Sequence, residues 1–234
     1  AASGQKSLTV HPIGNPREDL EPMGGVAGRL PPPSPRLASL LRSLRSVHGG
    51  QAASLEDFDV TFEATHHGPW LKSPALFAEI GSSEAEWSRA DAGHCWADAL
   101  WAEFSKPEPV SGPVVISIGG NHYMSHMNDL LKLHPGLMVG HMLPTYVLRD
   151  AGVEQIQASV KEALQATLLA HPEVPEIIVY MSKKSLRSAE RQAVQTALES
   201  LAASLGPGSP VLRAVSTSAQ LQKIIEADLA EVAV

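Results

Sequence analysis

Glu176-Ile177-Ile178-Val179-Tyr180-Met181 leads through a helix-period stretch, Ser188 to Leu205, into Val211-Leu212-Arg213-Ala214-Val215. The first run is apolar at consecutive positions, as in a strand buried on both faces. The middle stretch is long enough for a helix of about five turns. The last run is a short strand. Strands alternating with helices of this length predict an α/β protein, a layered sheet with helices on both faces.

The same alternation extends outward. Pro113 to Ile118 is a second β-branched run of the buried kind, Val153 to Leu169 has helical period, and Ser218 to Val232 predicts a terminal helix. Upstream, Phe58, Val60, Phe62 and Ala64 alternate with Asp59, Thr61, Glu63 and Thr65, the period of a strand. Ala75 to Ile80 predicts another strand. Ser83 with Glu86 forms a capping box opening a helix, and Trp87, Ala90, His94, Ala97 and Trp101 recur at helical spacing to about Phe104. Pro31-Pro32-Pro33-Ser34-Pro35 must run extended. Leu37, Leu40, Leu41 and Leu44 then mark a short amphipathic helix, stopped by His48-Gly49-Gly50. No repeat or linker divides the chain, so residues 1–234 are expected to form a single domain.

Composition narrows the function classes. The apolar fraction is 44% and the aromatic fraction 5%, so the core should be mainly aliphatic. One cysteine, Cys95, excludes an intrachain disulfide and a multi-cysteine metal site. The net charge of -7 argues against non-specific nucleic-acid binding and leaves room for a local basic patch. No apolar run approaches the roughly 20 residues that a bilayer requires. The start, Ala1-Ala2-Ser3-Gly4, has neither a basic segment nor an apolar one. A cytoplasmic protein is expected, with organellar targeting left open because the chain does not begin with Met.

The chemistry gathers around strand ends, where α/β enzymes build their sites. His66 and His67 close the Phe58 strand within Glu63-Ala64-Thr65-His66-His67-Gly68-Pro69, and neighbouring residues on a strand face opposite ways. Gly119-Gly120-Asn121-His122-Tyr123 follows the Pro113 strand, and backbone N–H groups of such a loop are able to hold an anion or polarise a carbonyl. Glu79, at the end of the Ala75 strand, is a candidate base or metal ligand. His11, in Thr9-Val10-His11-Pro12-Ile13-Gly14-Asn15, and His141, in Gly140-His141-Met142-Leu143-Pro144, are further candidates; either also suits a buried histidine bound to a carbonyl. There is no G-x-G-x-x-G, P-loop, H-E-x-x-H or G-x-S-x-G motif. His122 and His126 are four apart, but the glycines and methionines around them do not form a firm helical pattern.

Five of these segments resemble, in order, the archaeal and plant-type D-aminoacyl-tRNA deacylases. They are Leu8 to Asn15, Glu63 to Pro69, Ala78 to Ser83 with Glu86-Trp87, Gly119 to Tyr123, and Val139 to Pro144. Asn121 stands where that family usually has a third glycine, and Met124-Ser125 where it usually has Ala-Pro. Family members carry some tens of residues before the His11 segment, so this chain is expected to be N-terminally short and to lack early strands. The resemblance implies a fold similar to peptidyl-tRNA hydrolases and nucleoside phosphorylases. It also implies cleavage of the ester joining a D-amino acid to tRNA, in translation quality control, and zinc as the associated metal. It places catalysis on His66, His67, Glu79 and His122. Substrate binding is expected at His11, Gly119, Gly120, Tyr123 and His141, and Lys183 and Lys184, clustered with Arg187 and Arg191 after the Glu176 strand, are expected to dock tRNA. Any bound metal is expected to draw its ligands from among His66, His67, Glu79, His122 and His141. A monomer is expected. The alternatives are another hydrolase or nucleoside-processing enzyme on the same fold, or a non-catalytic tRNA-binding relative.

Overall fold

The structure is a computed structural model that describes residues 4–50, 52–109 and 112–232; the first three residues, discussed above for targeting, lie outside it. The α/β layered architecture is present, and its strands divide into two sheets. Strands β1 (Ser7–His11), β2 (Asp59–Phe62) and β3 (Phe77–Gly81) form the smaller one, in the order β2-β1-β3. Strands β4 (Val114–Ile118), β5 (Met138–Leu143), β6 (Glu176–Met181) and β7 (Val211–Val215) form the larger one, in the order β5-β4-β6-β7. All pairs of the larger sheet are parallel; in the smaller, β2 runs parallel and β3 antiparallel to β1.

The helices are α1 (Leu37–Gly50), α2 (Ala52–Leu55), α3 (Glu84–Trp87), α4 (Ala90–Phe104), α5 (Ser125–Leu133), α6 (Thr145–Leu148), α7 (Val153–Ala170), α8 (Ser188–Ser204) and α9 (Ser218–Val232). Alternate residues of the larger sheet enter different cores. Val114, Ile116, Ile177 and Val179 pack with Val160 and Leu164 of α7 and Val194 and Leu198 of α8. Val115, Val139 and Ile178 pack with Leu40, Leu41 and Leu44 of α1 and with Ala92 and Ala99 of α4. The apolar runs of β4 and β6 are therefore those of strands covered on both faces.

Three expectations change. The helix opened by the capping box is two helices, with Ser88 and Arg89 between α3 and α4. Strand β5 and helix α5 occupy segments whose sequence does not announce them. The glycine in β5, Gly140, lies under α7: an added Cβ would come within 2.5 Å of Thr167 Cγ2, so the strand approaches too closely for a side chain. Helix α5 starts from Met124 in the left-handed conformation, at φ 48°, which a methionine does not advertise.

The two sheets meet where β2 runs on past Phe62. Ala64 N–H donates to His122 O at 2.7 Å and Thr65 N–H to Met142 O at 2.8 Å, while Glu63 N–H still bonds Val10 O at 3.1 Å. This seam carries the histidines.

Candidate active site

His11 ends β1, His66 and His67 end the extension of β2, and His122 sits in the loop after β4. Strand pairing and the seam bring them together. Ring centroids are 4.2 Å apart for His11 and His66, 4.2 Å for His66 and His67, and 4.7 Å for His66 and His122. Gly68 makes the turn possible: its φ is 99°, and a Cβ there would lie 2.9 Å from Ile13 Cβ. His67 itself has φ 28°, a strained conformation of the sort that collects at functional sites.

Two carboxylates join the rings. Glu79 Oε1 lies 3.4 Å from His11 Nε2 and 3.5 Å from His67 Nε2. Glu63 places one oxygen 3.7 Å from His66 Nε2 and the other 3.7 Å from His122 Nε2. Contact with the His11 ring holds the Glu79 carboxyl below the usual carboxylate range, against a counteracting effect of burial. Burial, reinforced by the nearby His11 ring, pushes His66 down to about 2 and lowers His67 as well. His66 is thus a neutral imidazole at neutral pH.

The backbone fixes which nitrogens face inward. His66 Nδ1–H donates to Ala64 O at 2.8 Å, and His11 Nδ1–H to Pro12 O at 3.0 Å. The inward Nε2 of His66 then carries a lone pair facing the Glu63 carboxylate. The Nε2 of His11 is buried and has no hydrogen-bond partner among the described residues, its approach to Glu79 falling short of one. A lone pair turned toward a carboxylate, as at His66 and Glu63, is an arrangement that a cation resolves. Among the described residues, three groups meet the reach of one ion: His11, His66 and His67; Glu63, His66 and His122; and His11, Glu63 and Glu79. Imidazole nitrogen and carboxylate oxygen without thiolate is a donor set suited to zinc. The residues present fit the metal that the resemblance implies.

The cluster opens into a cavity of about 620 Å³, whose wall includes His66, His67, His122, Tyr123, Tyr146, Arg17, Leu20, Met23 and Val147. Tyr146 hydroxyl is 3.1 Å from His122 Nδ1, and burial followed by the Glu63 charge pushes its phenol up to about 12. A larger groove of about 860 Å³, lined by Trp70, Leu169 and Pro210 among others, includes none of these histidines. The segment after Asn15 is braced by the Asn15 amide on Gly24 O and by Arg17, which pairs with Asp19 and donates to Val147 O at 2.9 Å.

The structure places the other residues singled out in the sequence as follows. His141 is neither at the cavity nor in the ligand groups. It is fully buried, with Nε2–H donating to Pro31 O at 2.9 Å and Nδ1 accepting from Thr65 hydroxyl at 3.0 Å. Both nitrogens are used, and burial pushes its pKa down to about 4, so it is a neutral core histidine. Gly119 and Gly120 offer no free donors for an oxyanion: Gly119 N–H bonds Leu143 O at 2.8 Å and Gly120 N–H bonds Thr145 Oγ1 at 2.9 Å. Their role is steric, since a Cβ on Gly119 would meet Ser185 Oγ at 2.8 Å. His126 turns inward to Ser117 Oγ at 2.7 Å, so its spacing from His122 is not a ligand pair. Lys183 and Lys184 are in the turn after β6, outside the cavity wall. Cys95 is buried and its thiol is pushed up by burial, which suits packing rather than nucleophilic work.

The model of the D-aminoacyl-tRNA deacylase family matches residues 1–206 of this protein. The chain belongs to the D-aminoacyl-tRNA deacylase family. It is 34% identical over 224 residues to the D-aminoacyl-tRNA deacylase of Arabidopsis thaliana, covering 83% of this chain and 68% of that one. It is 34% identical over 202 residues to the Aeropyrum pernix D-aminoacyl-tRNA deacylase, covering 85% and 69%. The match to the Methanosarcina barkeri D-aminoacyl-tRNA deacylase covers 85% of this chain and 59% of that protein, again at 34% identity. The fold is also that of the crystal structure of a conserved protein of unknown function, with a TM-score of 0.68 and 27% identity, covering 96% of this chain and 68% of the other.

Within this deacylase-family site, Glu63 and Tyr146 are the residues that sequence reading missed. In the sequence Glu63 is only a polar position of an alternating strand. A carboxylate three residues before His66, on the strand that ends in the histidines, was the available signal. Tyr146 carries no comparable mark. Its place depends on β5, the strand that the sequence hides.

Proposed function

We propose that this protein hydrolyses the ester between a D-amino acid and the 3′-terminal ribose of tRNA. The carrying observation is the group of four histidines and two carboxylates, of which His66, His67 and His122 line a cavity large enough for an aminoacyl-adenosine end, in a member of the deacylase family. A zinc ion held by His11, His66 and His67, with Glu79 or Glu63 beside it, would acidify a water and polarise the ester carbonyl.

The chain's own groups account for the protons. Glu79, held ionised, takes the proton of the attacking water as its oxygen bonds to the ester carbon. His122 lies in the cavity wall, with Glu63 facing its Nε2 and Tyr146 at its Nδ1. It delivers a proton to the ribose oxygen as the carbon–oxygen bond breaks. The products are the free D-amino acid and tRNA with its hydroxyl restored. Lys183 and Lys184 lie on the loop against which Gly119 packs, and we assign them contacts with the tRNA phosphates.

The test is release of D-amino acid from D-tyrosyl-tRNA, with L-tyrosyl-tRNA alongside. Turnover of the D-form well above the L-form is expected. Stable binding of charged tRNA without release would replace this reading with a non-catalytic one.

A further inference from the structure

Beyond Tyr123 the cavity wall continues into a second, polar cleft of about 380 Å³. Tyr123 lines both spaces, and Arg45, Thr61, Asn121, Ser125 and Lys132 line the second. Building on the deacylase reading, we propose that this cleft receives the phosphodiester backbone of the single-stranded tRNA 3′ end, just upstream of the terminal adenosine.

Placement supports this. Thr61 and His66 lie on one extended segment, five residues and roughly 16 Å apart at the rise of a strand. A nucleotide whose ester reaches the histidines must send the preceding nucleotides out through one side of the cavity. On the Tyr123 side stand an aromatic ring and a set of polar groups, the combination that binds single strands without reading their sequence. Elsewhere the wall carries the apolar Leu20, Met23 and Val147, and its one arginine, Arg17, is already paired with Asp19.

Charge supports it too. The Arg45 guanidinium is half-buried and rests on neutral acceptors, Val60 O at 3.3 Å and Asn128 Oδ1. Among the described residues it forms no ion pair within 4 Å, although Asp129 opposes it from farther away. The two acids of the cleft are partnered within it, Asp59 by the Gln5 amide and Asp129 by Lys132 at 3.9 Å, which leaves Arg45 as the cation without a close anion. A cation short of water and lacking a close anion favours a phosphate oxygen. Asn121 begins the same loop whose Gly119 packs on the Lys183 turn, so the cleft and that basic turn flank one loop.

The experiment compares two synthetic substrates, D-tyrosyl-adenosine and the D-tyrosyl ester of the trinucleotide cytidylyl-cytidylyl-adenosine. The quantity read is the ratio of their kcat/KM values. In the unaltered protein the trinucleotide should be preferred at least about tenfold at roughly 50 mM salt, and the preference should shrink as salt rises. Arg45→Met should reduce the ratio about tenfold, chiefly through KM of the trinucleotide. Lys132→Gln, at an exposed position that holds up no other element, should reduce it a few-fold in the same sense. An unaltered protein with no trinucleotide preference, or a ratio unmoved by Lys132→Gln and by any folded Arg45→Met, overturns the subsite. Failure to cleave either ester would instead count against the deacylase reading itself.

Discussion

His11 Nε2 lies 3.4 Å from Glu79 Oε1, enclosed by protein and without a hydrogen-bond partner. This contact joins the end of β1 to the antiparallel strand β3, and it sets an ionised carboxylate against a ring that also touches His66 and His67. Glu79→Gln keeps the shape and removes the charge. Deacylation by this variant should fall by about 100-fold, in line with the loss of a group that supports a metal or moves a proton. Single-turnover rates measured beside circular dichroism would check it; a folded variant with near-normal rates would remove Glu79 from the mechanism.

His66→Ala and His67→Ala should each lower turnover by at least about 100-fold while the fold persists. Both rings are in the cavity wall, and neither serves the core. Full activity in both folded variants would contradict the site.

Zinc should be found by elemental analysis of the purified protein, and a chelator should remove both metal and activity. His11→Ala should abolish retention of the ion. His141→Gln should leave the metal content intact and lower the melting temperature instead, because His141 bonds Pro31 and Thr65 within the core. A zinc content reduced equally in both variants would return His141 to the ligand set.

Reversal of Lys183 and Lys184 to Glu should raise KM for D-tyrosyl-tRNA about tenfold more than for a small D-tyrosyl ester. It should also flatten the dependence of log kcat/KM on log salt, by about one unit for each phosphate no longer neutralised. Equal impairment on both substrates would indicate a damaged fold.

Stability should decline in acid. His141 and His171 are buried, and both are pushed down to about 4 by desolvation. Because the unfolded chain takes up these protons near pH 6.5, their contribution is complete above that value. It is lost as pH falls from about 6.5 toward 4, by roughly 1–2 kcal/mol for each ring at pH 5. His171→Leu should make the melting temperature less steeply pH-dependent in this window. A wild-type melting temperature flat from about pH 7 to 4.5 would contradict the burial of these imidazoles as neutral rings.

What the sequence revealed followed from how each feature is encoded. Strands β4 and β6 and helices α7 and α8 are periodic, so their types were readable from local pattern. The histidines at His66 and His67 stood out because a strand ended on them beside Gly68-Pro69. Glu63 did not, since its value comes from His122, 59 positions away, folding over it. His141 misled for the opposite reason. A histidine beside a glycine looks alike in sequence whether it faces a cavity or bonds Pro31 O in the core. Strand β5 was hidden because Gly140 interrupts its apolar run for the sake of close packing under α7.

The seam at Ala64 and Thr65 has a thermodynamic consequence. His11, Glu79 and His67 are carried by the three-stranded sheet or its extension, whereas His122 follows the four-stranded one. Any ligand gripped by the whole group is therefore gripped by both sheets at once. By mass action it would stabilise their association by RT ln(1 + [L]/Kd), about 2.7 kcal/mol at a hundredfold excess over Kd. With the ligand withdrawn, two backbone bonds across the seam remain, Ala64 N–H to His122 O and Thr65 N–H to Met142 O, beside the apolar core that both sheets share. Hydrogen exchange at those two amides should then quicken before the interior of β4 and β6 does, making the candidate active site also a fastener between the sheets.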